Sequence, residues 1–294
     1  MVIAAVGQLC STASLASNLA QCQVLVRKAT ATGAKALFLP EASDYIGSSA
    51  AETVSLARSV QDSEFVKGLQ KEARDANLPI NVGIHEPAPE GRVKNTLVWI
   101  NEKGDITQRY QKTHLFDVEI KDGPILKESS SVEKGMEIVP PFETAVGRVG
   151  LCICFDVSFL ALDPNIKLEI HMLCLQLRFP EISLALKRQN AQIITYPSAF
   201  TVPTGSAHWE ALLRARAIET QSYVIAAAQA GFHNEKRRSY GHSMIVNPWG
   251  EVVASLGGDF KEPEIATADI DLGLLSKIRR EMPLLRRTDI YPEV

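Results

Sequence analysis

The chain has 294 residues, 46% of them hydrophobic and 22% charged, which is the profile of a folded protein with room for one large domain or two small ones and excludes a disordered chain. A net charge of -3 and a pI near 6.1 offer no long-range attraction to phosphate backbones or anionic lipid, so no nucleic acid is expected as partner and a small molecule is. The five cysteines, Cys10, Cys22, Cys152, Cys154 and Cys174, are odd in number and sparse, which fits reduced thiols in the cytosol better than a disulfide framework.

The chain starts on an apolar, strand-like segment at residues 2–6 with no basic region before it, and no apolar run is long enough to span a bilayer. A cytoplasmic location without membrane attachment is expected, with mitochondrial delivery from another start site left open. Leu19, Cys22, Leu25, Val26 and Ala29 then share one helical face, Gly33 stops the helix, and residues 36–39 form a strand. A helix over 65–76 leads to strands at 80–84 and 96–100, a turn at 102–105 and a return strand over 106–113. After a polar loop at 121–137, strands are predicted at 149–155, 193–196, 223–228, 244–246 and 252–255, with a helix over 209–220 and a turn at 247–250. No repeat or Gly/Ser linker divides the series, so the expectation is a single α/β domain over residues 1–294, with mixed sheets covered by helices.

Three ionisable residues sit where strand-like runs end: Glu41, Lys112 and Cys154. Sites in α/β sheets form at such ends. A thiolate nucleophile needs a cation to hold its charge and a base to take its proton, roles open to Lys112 and Glu41 where the fold brings them together. Each also has an ordinary reading: Cys154 as a small core residue, Glu41 as an acid at a helix N-terminus, Lys112 as a solvated charge.

The segments Leu37-Phe38-Leu39-Pro40-Glu41, Tyr110-Gln111-Lys112-Thr113-His114-Leu115-Phe116-Asp117 and Gly150-Leu151-Cys152-Ile153-Cys154-Phe155-Asp156 resemble, in order, the three catalytic motifs of the nitrilase superfamily. The resemblance continues through Arg178-Phe179-Pro180-Glu181, Tyr196-Pro197-Ser198-Ala199-Phe200, His208-Trp209-Glu210, Arg214-Ala215-Arg216-Ala217-Ile218-Glu219 and Tyr240-Gly241-His242-Ser243-Met244, nearly the whole chain. It implies an α/β fold of four layers, an α-β-β-α sandwich, and a homodimer or higher homo-oligomer. It also implies Cys154 as nucleophile, Glu41 as general base and then acid, and Lys112 as the cation facing the tetrahedral intermediate. Glu128 matches the second glutamate that positions substrate or base, and the oxyanion would be held by Lys112 and the backbone N–H of Phe155. An amine or ammonia leaves, a thioester remains, and water activated by Glu41 releases the acid.

A metal site built from Cys152 and Cys154 with His171 or His114 is the competing chemistry. The chain has no paired CxxC units and no HExxH, so neither metal nor cofactor is expected. On a strand Cys152 and Cys154 would share a side. His208 and His242 read as hydrogen-bonded structural residues.

Pro197-Ser198-Ala199-Phe200-Thr201, Ala207-His208-Trp209-Glu210 and residues 235–244 are similar to the branch whose activity is deaminated glutathione amidase, which implies cleavage to 2-oxoglutarate and cysteinylglycine. The alternatives are an ω-amidase acting on 2-oxoglutaramate and an inactive isoform. The last arises because residues 157–176 separate Cys154-Phe155-Asp156 from Leu177-Arg178-Phe179-Pro180-Glu181, motifs that are almost adjacent in the family. The stretch is too apolar for a comfortable solvent loop. It reads as a translated intron: Val-Ser can be encoded by a donor-like sequence beginning GT, Gln can end in CAG, and its length is a whole number of codons. Sequencing the transcript decides it.

Overall fold

The computed structural model describes residues 2–119, 125–157 and 180–290. Residues 157–176 fall outside that description except for the backbone of Val157, and so do Arg178, Phe179, His171 and Cys174. The strands up to the nucleophile motif are β1 (Ile3–Gln8), β2 (Ala36–Phe38), β3 (Ile80–Ala88), β4 (Arg92–Ile100), β5 (Ile106–Gln111), β6 (Asp117–Glu119), β7 (Ile125–Lys127), β8 (Val132–Glu133), β9 (Phe142–Thr144) and β10 (Gly147–Leu151). Beyond it come β11 (Ile193–Thr195), β12 (Tyr223–Ala226), β13 (Ala230–Phe232), β14 (Arg238–Tyr240), β15 (Met244–Val246), β16 (Val252–Ser255) and β17 (Glu264–Asp269). The helices are α1 (Leu15–Ala31), α2 (Ala50–Leu56), α3 (Glu64–Asp75), α4 (Pro180–Arg188), α5 (Val202–Thr220) and α6 (Leu272–Glu281).

Two sheets carry the fold. One runs β17-β1-β2-β3-β4-β5, with β8 added beside β4, and the other runs β16-β15-β12-β11-β10-β9. β1, β2 and β3 pair in parallel, as do β10, β11 and β12 and the short β8 with β4, while the other pairings are antiparallel.

Strand periodicity decides what each face meets. Ala4, Val6, Phe38, Leu97 and Trp99 of the first sheet pack in one core with Val149, Leu151, Ile193 and Val224 of the second. The alternating residues Ala5, Leu37, Leu39, Val98 and Ile100 pack instead with Cys22, Leu25 and Val26 of α1 and Phe65 and Leu69 of α3. On the far side, Trp209, Leu212 and Leu213 of α5 and Ile182 and Leu186 of α4 join the core of the second sheet. The result is the expected four-layer α-β-β-α sandwich. No helix among the described residues is long and apolar enough to cross a membrane.

The predicted elements differ from the observed ones at their ends, and others, α2 and β17 among them, were not predicted. The strand predicted over 149–155 stops at Leu151, because a short 3-10 turn over Cys154–Val157 replaces its end. α5 begins at Val202 and not at Trp209, with the Thr201 hydroxyl capping the Thr204 N–H and Pro203 in the first turn. The polar loop at 121–137 contains, in its described part, β7 and β8 flanking a 3-10 turn that starts at Glu128.

Candidate active site

Glu41 lies just past β2, and its turn is built for close approach. The next residue, Ala42, has φ 54°, and a Cβ added to Gly83 of β3 would lie 2.6 Å from the Glu41 Cα. Backbone bonds from the Gly83 N–H to the Pro40 oxygen (3.1 Å) and from the Ser43 N–H to the Gly83 oxygen (2.9 Å) fasten the turn to β3. Glu41 is 5% exposed, so it is no solvent-facing helix cap. Its Oε1 accepts from Asn95 Nδ2 (2.7 Å) and Lys112 Nζ (2.8 Å), and its Oε2 from the Ala199 N–H (3.0 Å).

Lys112 is the first residue beyond β5 and only 2% exposed, which removes the solvated-charge reading. Its N–H donates to the Asn95 oxygen (2.9 Å) and its oxygen accepts from the Gly135 N–H (2.8 Å), so the stem is fixed from both sides. The ammonium lies between two carboxylates: besides Glu41 it donates to Glu128 Oε1 (3.1 Å) and Oε2 (3.0 Å). Glu128 is set by its 3-10 turn and by the Phe116 N–H, which donates to Oε2 across 2.7 Å.

Burial disfavours the charged form of both Glu41 and Lys112, but the pair outweighs it. The Lys112 charge, with hydrogen bonds from Lys112, Asn95 and Cys154, holds the Glu41 carboxyl below its ordinary range. The charges of Glu128, Glu41 and Cys154 hold the Lys112 ammonium well above its own.

Cys154 opens the 3-10 turn with φ 41°, a left-handed backbone that costs a non-glycine residue on the order of 1 kcal/mol. Its N–H donates to the Pro197 oxygen (2.9 Å), tying the turn to the end of β11. Burial pushes the thiol pKa up, and the Glu41 charge pushes it further, against the opposing effects of Lys112 and the Ala199 N–H. Burial and the Glu41 charge thus favour the neutral thiol over the thiolate in the resting site. Cys152, expected on the same side, has other neighbours: it is fully buried, with burial, Asp156, Arg216 and Tyr196 acting on its thiol. The strand has ended by then, so the two-residue period no longer holds.

Sequence reasoning missed three supports. Asn95 of β4 touches both carboxylates, at 2.7 Å to Glu41 and 3.3 Å to Glu128. Asp156 is fully buried and accepts from the Ile153 N–H, the Tyr110 and Thr113 hydroxyls and the His114 N–H, and its Oδ1 lies 2.9 Å from His114 Nδ1. Ala199 supplies its N–H from the loop after β11. The available signal was a polar side chain in an apolar context: Asn95 sits two residues before Leu97, and Asp156 five residues after Leu151. Phe155 follows Cys154 on the turn. His114 is engaged with Asp156, and His242 stacks on Tyr240 (4.1 Å between ring centroids). Among the described residues no group of three or more His, Cys, Asp or Glu is placed to hold a metal.

The carbon-nitrogen hydrolase family matches residues 3–162 and 169–280, and the break falls within the stretch that separates the two motifs. A probable hydrolase, nit2, of Schizosaccharomyces pombe is 46% identical over 100% of both chains. The human deaminated glutathione amidase is 42% identical over 98% of this chain and 83% of its own. The crystal structure of the Caenorhabditis elegans NitFhit protein superposes with a TM-score of 0.87 at 39% identity, covering 99% of this chain and 66% of that longer one. With the motifs, the sandwich and these relatives in agreement, the chain belongs to the carbon-nitrogen hydrolases of the nitrilase superfamily, enzymes of amide hydrolysis.

Proposed function

We propose that this chain cleaves deaminated glutathione into 2-oxoglutarate and cysteinylglycine through a thioester on Cys154. The observation that carries the chemistry is the convergence of three groups from separate strand ends: Lys112 Nζ lies 2.8 Å from Glu41 Oε1, and Cys154 is close enough to both for their charges to act on its thiol. Glu41 takes the thiol proton as the sulfur attacks the amide carbon, so charge forms on sulfur only in the reacting complex. The carbonyl oxygen, now anionic, takes hydrogen bonds from the Lys112 ammonium and the Phe155 backbone N–H. Collapse of the intermediate breaks the C–N bond, and Glu41 returns the proton to the departing dipeptide amine. Water then gives a proton to Glu41, attacks the thioester carbon and releases the acid and the thiol. Glu128 holds Lys112 from the side opposite Glu41.

The substrate assignment is supported by the named activity of the human relative and by the motif likeness at residues 197–201, 207–210 and 235–244. An amide panel containing deaminated glutathione, 2-oxoglutaramate and simple nitriles tests it. Preference for 2-oxoglutaramate moves the assignment to an ω-amidase, and no turnover of any amide supports the inactive isoform. The reading includes one domain over residues 1–294 and a cytoplasmic or mitochondrial location. It also includes a homodimer or higher homo-oligomer, for which the exposed Ile218 and Trp249 offer apolar surface and size-exclusion chromatography is the test.

A further inference from the structure

Asn95 occupies the face of β4 that also carries Leu97 and Trp99, the face turned to the core between the sheets. An amide buried to 3% exposure in such a place is tolerated only when it is hydrogen-bonded, and its partners here are unusual. Nδ2 donates to Glu41 Oε1 (2.7 Å) and to Glu128 Oε1 (3.3 Å). Lys112 Nζ donates to the same two oxygens, at 2.8 Å and 3.1 Å. Two donors and two acceptors thus close a ring, and the Asn95 backbone oxygen holds the Lys112 N–H as well. Among the described residues Oδ1 has no hydrogen-bond partner, and the two carboxylates orient the amide.

The ring bears on the reaction. An ammonium has three N–H groups, and those of Lys112 go to Glu41 Oε1, Glu128 Oε1 and Glu128 Oε2. A donor turned towards the oxyanion loosens the hold of Lys112 on these oxygens. The remaining donor between the two acids is the Asn95 amide, neutral and fixed on a central strand.

We infer that Asn95 is a positioning residue that keeps Glu41 and Glu128 in place while Lys112 turns a donor to the substrate carbonyl. The inference rests on the proposed roles of Glu41 and Lys112. Because the amide also favours the ionised form of Glu41, its removal moves the acidic limb of the rate profile upward in pH.

The experiment compares kcat and KM across pH for the wild-type chain, Asn95→Ala, Asn95→Asp and Glu41→Gln, on whichever amide of the panel the wild type turns over. Asn95→Ala is expected to lose roughly tenfold or more in kcat with KM much less affected, in line with small misplacements of reacting groups. Its acidic limb is expected to rise. Asn95→Asp, nearly isosteric, is expected to raise the limb further, because it sets a third carboxylate against the other two. Should Asn95→Ala fail to fold, as judged by melting temperature, the aspartate variant carries the comparison. A lower kcat with an unmoved limb in the folded variants, or an aspartate variant like wild type, overturns the inference while Glu41→Gln remains inactive. Full turnover by Glu41→Gln overturns both the inference and the base assignment.

Discussion

The Tyr110 hydroxyl donates to Asp156 Oδ2 across 2.7 Å, joining the strand that delivers Lys112 to the turn that carries Cys154. The same carboxylate takes the Thr113 hydroxyl, the His114 N–H and the Ile153 N–H, so it ties the segment after Lys112 to the turn of Cys154. Tyr110→Phe removes one donor and is expected to cost about 1 kcal/mol, with a modest loss of kcat. Asp156→Asn has a single acceptor oxygen for these donors, and the loss should approach about 3 kcal/mol, as for buried charged networks generally. Urea unfolding and steady-state rates on both variants check the order; equal effects would show that Asp156 does not gather the bonds.

Cys154→Ala should abolish turnover, whereas Cys152→Ala should keep appreciable activity, since Cys152 faces Tyr196 and Asp156 and not Glu41. Equal loss in the two would undo the assignment. The raised Cys154 pKa adds a chemical signature: without substrate, iodoacetamide should alkylate this thiol slowly at neutral pH, with the rate still climbing above the ordinary cysteine range. A plateau near neutrality would mean a resident thiolate.

For Lys112→Met the rate should fall by roughly two orders of magnitude or more, as when a donor to an oxyanion is removed. The pH profile should shift as well. In the intact site Glu41 is held below its ordinary value, so its ionisation stabilises the fold above the unfolded pKa of about 4.3, and that contribution is lost as pH falls through the lower folded value. The acidic limb of kcat/KM in the wild type therefore lies below the ordinary glutamate range, and losing the Lys112 charge moves it up. A near-normal rate in Lys112→Met would remove the lysine from the site.

Gly83→Ala tests the seat of Glu41 without touching a charge. The added Cβ would fall 2.6 Å from the Glu41 Cα and 2.9 Å from the Pro40 oxygen, both backbone atoms that cannot swing aside. A destabilisation of about 1 to 3 kcal/mol is expected from the forced shift, together with a fall of at least about tenfold in kcat. A variant with wild-type melting temperature and rate would show that the turn has slack.

Deleting residues 157–176 restores the family's short connection and is expected to raise both activity and melting temperature. The sequence removed is apolar, with Phe159, Leu160, Leu162 and Met172, and closing a long loop carries an entropic cost of a few kcal/mol. Turnover and melting curves of the two chains decide it, since a less active or less stable deletion variant would mean that the stretch belongs to the fold.

Glu41, Lys112 and Cys154 could be singled out in the sequence because each follows a strand-like run, and order along the chain sufficed to match them to motifs. Asn95 was not, since a polar residue in a strand reads as outward-facing unless one knows that carboxylates wait on the buried side. β17 escaped because it pairs with β1 from the other end of the chain, Ile3 opposite Asp269, which no local pattern encodes. α2 escaped because it is short and none of its side chains is fully buried, Val54 and Leu56 packing only in part.

The division of the site between two sheets has a further consequence. Glu41, Asn95 and Lys112 come from the first sheet, and Cys154 and Ala199 from loops ending strands of the second. Neither half holds the whole candidate set. A partly denatured state in which both sheets survive but slide apart would keep its far-ultraviolet circular dichroism and its helices while losing all turnover. Catalysis in this protein is thus a gauge of docking between its halves, and in a urea titration it should fade before the peptide signal does.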